Sequence, residues 1–351
     1  MFVEKKYISK IFIFLSFFNN LFPVTVGSDY TLQDHIVFTD AQNLIDNDAK
    51  MERGFQLHET SVSCSFNSFY PVRGDVDLRG GRLYLQVDLD FTNTFLLSGG
   101  GKIFGEGYAI RFPKNYSTFI TPSSLLINNT DFIFYSDVSV KYTSSFSGNC
   151  SINCNGGNLT LEDDGELTVL SGGVLTFRNL NLSGLKNKNI KCQDNTASIV
   201  LESCLLQLNQ DYEFDKGSIL FSSDIKITGT NKFCYTSTMT STIDSCSSLY
   251  LSNGLTFSYA PVIPNRDLLY MSDKTSKFYL DGCSLYSTKT GIRLTRGRLF
   301  LENSVTFSTQ AIALSQAICF GNKNLNDDLD IYLLPGVELQ VHGILDYQNS
   351  N

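Results

Sequence analysis

The feature that most constrains this chain is a short unit that recurs from Leu83 almost to the C-terminus. Its clearest copy is G-R-L-F-L-E-N-S-V-T-F, from Gly297 to Phe307. The unit runs as an apolar residue, any residue, a second apolar residue, three polar or small residues, and then another alternating apolar pair. Leu299, Leu301, Val305 and Phe307 hold the apolar places here. Laid out by its first apolar residue, the unit starts at Leu83, Leu125, Leu159, Leu175, Ile199, Ile219, Leu249, Phe278, Leu299 and Ile331, and the residue two places on is again apolar every time. Apolar alternation at period two is a strand signal, because successive side chains of an extended chain point to opposite faces.

Four places after the start, Asn129, Asn179, Asn253, Asn303, Gly282 and Asp163 recur, residue types that tolerate the left-handed backbone of a sharp bend. Alternation then resumes, as at Leu89 and Phe91, Ile225 and Ile227, Leu255 and Phe257, Val305 and Phe307, or Val337 and Leu339. Each unit therefore reads as strand, tight bend, strand. The starts lie about sixteen to forty residues apart, the range of solenoid coils, so the simplest arrangement stacks one bend on the next. Equivalent strands then pair about 4.8 Å apart and like side chains form interior columns, giving a rod on the order of 50 Å long.

Composition fits that reading. Of 351 residues 42% are hydrophobic and 18% charged, enough apolar material for a large core, and 27 Phe and 17 Tyr without any Trp suit a β-rich interior. The net charge is −8, with no Lys/Arg cluster of the kind that phosphate backbones require, so nucleic acid is not an expected partner.

Lys5, Lys6 and Lys10 precede the apolar run Ile11 to Phe18, and small residues follow at Thr25 and Gly27, the pattern of a secretory signal peptide over residues 1–27. An uncleaved signal anchor is the alternative. Loss of that segment, with its three Lys and Glu4, would take the net charge to −10. No later run is long enough to span a membrane, so the mature chain is expected to be secreted or held at the cell surface. Residues 28–78 lack the unit and contain a helix-compatible piece, T-D-A-Q-N-L-I-D-N-D-A-K-M-E-R, with Thr39 or Asp40 as N-cap. They are read as an N-terminal capping region over the first exposed rung, residues 79–345 as the solenoid, and 346–351 as a tail.

The stretches V-D-L-R-G-G-R-L-Y-L from Val76, G-G-G-K-I-F-G-E-G-Y-A-I-R-F from Gly99, L-L-I-N-N-T-D-F from Leu125 and L-F-L-E-N-S-V-T-F from Leu299 carry a resemblance over roughly residues 74 to 345. The chain resembles the right-handed parallel β-helix proteins, the pectate-lyase-like superfamily, and in character the bacterial secreted and surface β-solenoids. The fold class this implies is all-β, a right-handed parallel β-helix with an N-terminal cap. Membership of the polygalacturonases would imply an N-T-D element, paired Asp residues and a G-H-G element. Asp163-Asp164 and Asp327-Asp328 supply the pairs, as acids of polar turns, and no G-H-G occurs. His35 and His58 precede the repeats and His342 lies near the last rung, which leaves no histidine for acid/base work on the central coils. A pectate lyase would instead imply clustered Asp beside a basic Arg; Arg293, Arg296 and Arg298 are expected outward along one strand as a solvated face.

No catalytic, cofactor-binding or metal-ligating residue is assigned, and no cofactor is expected. Among nine cysteines, Cys204 and Cys283 hold the same place in their units and read as small buried members of one column. Cys150 with Cys154, and Cys234 with Cys246, are spaced for a disulfide in an oxidising compartment, with free thiols the alternative. Arg73-Gly74-Asp75 reads as a chance tripeptide, and the sequons at Asn115, Asn128, Asn149, Asn158 and Asn181 matter only in a glycosylating host. Two function classes stay open: a structural, adhesive or binding solenoid with cell-surface, carbohydrate or protein ligands, and a polysaccharide-active lyase or hydrolase on the same architecture.

Overall fold

A computed structural model of the chain describes residues 76–91, 100–112, 125–322 and 329–348 in full. Elsewhere it gives only the backbone of short strands between Val24 and Asp75, at Leu97–Ser98 and at Thr118–Phe119. The expected signal segment 1–27, apart from the strand Val24–Val26, lies outside the described residues, as do Arg73-Gly74, His35, His58 and Asp327-Asp328.

The chain winds as a parallel β-solenoid of about ten turns, nearly without helix, and each turn contributes one strand to each of three lateral sheets. The first sheet runs through Arg82–Leu85, Gly101–Phe104, Leu125–Asn128, Thr143–Ser147 and Glu166–Val169 to Ile190–Cys192. Tyr212–Phe214 then opens a six-stranded continuation that ends at Glu338–His342, and the Tyr212 hydroxyl donates to the Ile190 carbonyl across the break at 2.7 Å. The second sheet takes in Ala109–Phe112, Asp131–Phe134, Asn149–Asn153 and later Leu269–Met271; the third takes in Val138–Val140, Asn158–Leu161, Ser248–Ser252, Lys277–Asp281, Gly297–Glu302 and Leu329–Leu333. Three long strands, Val174–Leu185, Ser198–Leu208 and Ser218–Thr228, run through the corner between these two sheets and belong to both.

Alternation in the sequence becomes alternation of burial: Gly297–Glu302 reads buried and half-buried in strict turn. Leu251, Leu280 and Leu301 stand in direct register on successive turns, each 2% exposed or less, so the interior line expected from the units exists. The bends also form as expected. Asn129, Asn179, Asn253 and Asn303 adopt φ of 45°, 47°, 63° and 55°, and Gly282, at the same corner as Asn253 and Asn303, has φ of 57°. Gly has no Cβ to clash with the carbonyl in that conformation, and Asn tolerates it because its short polar side chain can hydrogen-bond locally. Asp163 is absent from this left-handed set and sits in an exposed turn instead.

Several expectations need correction. The ten units do not share one column. Leu83 and Leu125 lie on the first sheet, Leu175, Ile199 and Ile219 on the second, and Leu159, Leu249, Phe278, Leu299 and Ile331 on the third. All three corners of the turn require the same strand-bend-strand solution, so copies match between corners as well as between turns. The shortest interval, Leu159 to Leu175, is a step to a later corner and not a full turn. The stretch proposed as helix carries two strands, Gln42–Ile45 and Lys50–Met51, paired in the ladders that continue through residue 78. Pairing likewise reaches Tyr347, through Leu345–Tyr347 on Ile318–Phe320. Cys204 and Cys283 are both 3% exposed but occupy different lines: Cys204 lies between Leu180 and Ile225, whereas Cys283 sits at the bend after Gly282.

Candidate functional site: the outer face of the third sheet

In the third sheet the apolar residues at alternate places, such as Leu249 and Leu251, Phe278 and Leu280 or Leu299 and Leu301, point inward, which leaves the residues between them to line the outer surface. The central outward positions are Tyr250, Tyr279, Phe300 and Tyr332, in register on four successive turns. Their rings stack at centroid distances of 4.7, 4.4 and 4.7 Å, with planes within 19° of parallel. That spacing is the strand separation, so the rings face one another along the rod and present their edges and hydroxyls outward. Each stacked pair adds roughly 0.5–1.5 kcal/mol beyond area burial, which stiffens the ridge. Lys226 covers the ring of Tyr250 at the lower end, 5.3 Å from its centroid, and Tyr332 at the upper end is 41% exposed.

Charged rows flank the ridge. On one side Lys277, Arg298 and Asp330 follow one another in register; on the other Asp281 lies directly below Glu302. The Tyr250 hydroxyl donates to Glu302 Oε2, and Asn303 Nδ2 donates to Asp281 Oδ1. Burial pushes the Tyr250 phenol up, reinforced by its hydrogen bond to Glu302 and by the negative charges of Glu302 and Asp281. Tyr279 is raised by burial and by the same carboxylate. Both hydroxyls therefore stay protonated and able to donate at neutral pH.

The repeat unit as defined from the sequence does not show this surface, because its second place is open to any residue. The signal was present: L-Y-L, F-Y-L, L-F-L and I-Y-L put an aromatic between two inward apolar residues in four consecutive copies.

The residues singled out from sequence fall elsewhere. Arg293, Arg296 and Arg298 do not share a strand: Arg293 lies in Ile292–Leu294 and Arg298 in Gly297–Glu302, with Arg296 between. Nor are the first two merely solvated. Arg293 makes a two-pronged contact with Asp267 one turn below, at 2.7 and 2.5 Å, and Arg296 donates to the Tyr270 hydroxyl at 2.8 Å with its guanidinium 5.6 Å from that ring. Asp267, Tyr270, Arg293, Thr295 and Asn322 line a cavity of about 200 Å³ there. Asp163 and Asp164 occupy an exposed turn beside Lys141 and Glu162, themselves paired at 3.5 Å. His342 is exposed on the last turn.

The eight described cysteines are all free thiols, so neither Cys150–Cys154 nor Cys234–Cys246 is bridged. Burial pushes the thiols of Cys154, Cys192 and Cys283 up to about 12 and that of Cys204 up to about 11. A thiol so held is protonated at neutral pH and is not a nucleophile. No helix among the described residues is long and apolar enough to cross a membrane.

No protein-family model, no curated protein and no solved structure matches this chain.

Proposed function

We propose that this chain is an exported β-solenoid, led out by residues 1–27 and secreted or displayed at the cell surface, whose work is binding or adhesion through a lateral face, with an architecture akin to the pectate-lyase-like superfamily. The observation that carries this reading is the ridge Tyr250, Tyr279, Phe300 and Tyr332 between a row with Lys277 and Arg298 and a row with Asp281 and Glu302. Repeating groups at a fixed axial spacing suit an extended polymer lying along the rod, and solenoid faces are natural sites for such contacts. Apolar ring edges would meet the carbon faces of sugar rings, while phenol and carboxylate groups would bond their hydroxyls.

The test is retention of the purified protein on insoluble cellulose, chitin and peptidoglycan. Binding to at least one is expected, weakened about tenfold or more in Tyr279→Ala/Phe300→Ala, the equivalent of roughly 1.4 kcal/mol. Equal retention of parent and variant, or none for either, would count against the reading.

A second reading, a polysaccharide-active lyase or hydrolase, draws on the register of Asp281 and Glu302 on neighbouring turns beside the Tyr250 hydroxyl. Two nearby carboxylates are what glycoside hydrolysis employs. It predicts soluble products from the same polymers and their loss in Glu302→Gln, whereas a binding rod releases none.

A further inference from the structure

Among the described residues up to Asn322, every exposed large aliphatic side chain stands at one corner of the coil. Met239, Val262, Ile263, Ile312 and Leu314 are 37%, 75%, 63%, 83% and 62% exposed. They belong to loops that leave Lys232–Tyr235, Thr256–Tyr259 and Ser304–Thr309, strands stacked in register through Ser284–Ser287, and that lead to Ser241–Ile243, Leu269–Met271 and Ile318–Phe320. The loop of the intervening turn, after Ser284–Ser287, carries the exposed Lys289. Over four turns the corner therefore runs for about 14 Å along the rod. It joins the first sheet to the second, so the aromatic ridge on the third lies away from it. Apolar side chains gathered in this way on an otherwise polar surface mark a contact site.

We infer that this corner rests on a phospholipid bilayer, its loop tips entering the headgroup layer while the rod stays outside. Shape, backbone and charge favour lipid over a protein partner. Val262, Ile263, Ile312 and Leu314 stand out as knobs, each more than 60% exposed, and a fluid layer surrounds such knobs without a matching socket for each. The tips A-P-V-I-P and Q-A-I-A-L-S carry no charge. Several of their backbone donors are already engaged within the fold. The Val262 N–H donates to the Thr236 carbonyl at 3.2 Å, the Ala311 N–H to Thr309 Oγ1 and the Ile312 N–H to Gln316 Oε1, both at 3.1 Å, while Pro261 and Pro264 have no N–H to satisfy. An apolar medium offers no hydrogen bonds of its own, so internal pairing lowers the cost of leaving water. In a chain of net charge −8 the charged residues of the four loops are Arg266, Asp267 and Lys289, and Asp267 is held by Arg293. The corner thus turns cations toward lipid phosphates. This surface is separate from the aromatic ridge and does not rest on the reading of that face.

Tryptophan emission tests this, because the chain has no Trp of its own. Ile312→Trp in the full chain is expected to shift its emission to the blue when vesicles of phosphatidylcholine with phosphatidylglycerol are added, half of the shift falling at about 1 mM lipid, a weaker hold than one acyl chain gives. The reporter is local, so lipid held only by the apolar run Ile11 to Phe18 leaves it unchanged. Adding Ile263→Asp, at a position already exposed, should raise the lipid required about tenfold with an unchanged β-type circular dichroism spectrum. Adding Tyr279→Ala/Phe300→Ala instead should leave the titration as it was, which separates this corner from the ridge. Lys277→Trp, on the third sheet, should show no shift. An emission at position 312 indifferent to vesicles, an equal shift at position 277, or a titration unmoved by Ile263→Asp would each overturn the proposal.

Discussion

Leu301→Asp is expected to destabilise the solenoid by about 4 kcal/mol, the range of an unpaired charge forced into a packed core. Leu301 is 2% exposed, rests on Leu280, and lies under Leu333. A carboxylate there finds neither water nor a cationic partner in the column. The expected loss is local as well as large. A solenoid is stabilised by contacts between neighbouring turns, so a fault at one turn detaches what lies beyond it before the rest unfolds. Hydrogen exchange should therefore show protection falling from Gly297 to Tyr347 while the strands Val174–Leu185, Ser198–Leu208 and Ser218–Thr228 keep theirs. Leu333→Asp is the control: the same substitution in the same column, at a side chain 60% exposed, should cost less than about 1 kcal/mol. Equal effects of the two changes in urea melts would dispose of the column as the source of stability.

The second large effect is a steep loss of stability in alkali. Cys154, Cys192 and Cys283 titrate near 9.0 when unfolded and are pushed by burial up to about 12; Cys204 is pushed up to about 11. The Tyr235 phenol, buried with its hydroxyl 2.9 Å from Ser241 Oγ, is pushed from 10.0 up to about 12. Raised values mean that the folded chain keeps protons which the unfolded chain gives up. Stability from these groups is complete below about pH 9 and is lost as pH climbs from there toward 12. Each group contributes up to about 1.4 kcal/mol per pH unit, so the four thiols together remove about 5 kcal/mol per unit once past their unfolded values. The melting temperature should thus be level between about pH 6 and pH 8, and the β-type spectrum should collapse cooperatively near pH 11. Replacing Cys154 and Cys192 by Ala should move that collapse upward. A spectrum unchanged at pH 12 would refute the assignment of those thiols to the interior. On the acid side the sign reverses. Hydrogen bonds from Ser171 and Thr196 hold Asp194 down to about 2, and those of Thr275 do the same for Asp273, so what these carboxylates add is present above pH 3.8 and fades only toward pH 2.

Much of this architecture could be read from the chain. Strand periodicity is set by which side chains must avoid water, and L-F-L or L-Y-L with a following Asn states both the alternation and the corner. Even Ser203 and Ser223, left-handed at φ of 53° and 64°, stand four places after Ile199 and Ile219, where the unit demands a bend. The candidate site was less legible. Four aromatics about twenty to thirty residues apart form a ridge only if their strands are in register on consecutive turns. Spacing along the chain did not reveal that Leu159 and Leu175 belong to different sheets of one solenoid.

The sequence by itself determined that this protein is a stack of short parallel strands, because a pattern of buried and solvated side chains repeated with a left-handed residue at each bend admits few other solutions. Only the tertiary structure decided which strands share a sheet, which outward residues meet, that Cys204 and Cys283 part company, and that Arg293 grips Asp267. Those outcomes depend on the number of residues taken up at each corner, which sets register between turns, and register is a property of the whole coil and not of any one unit.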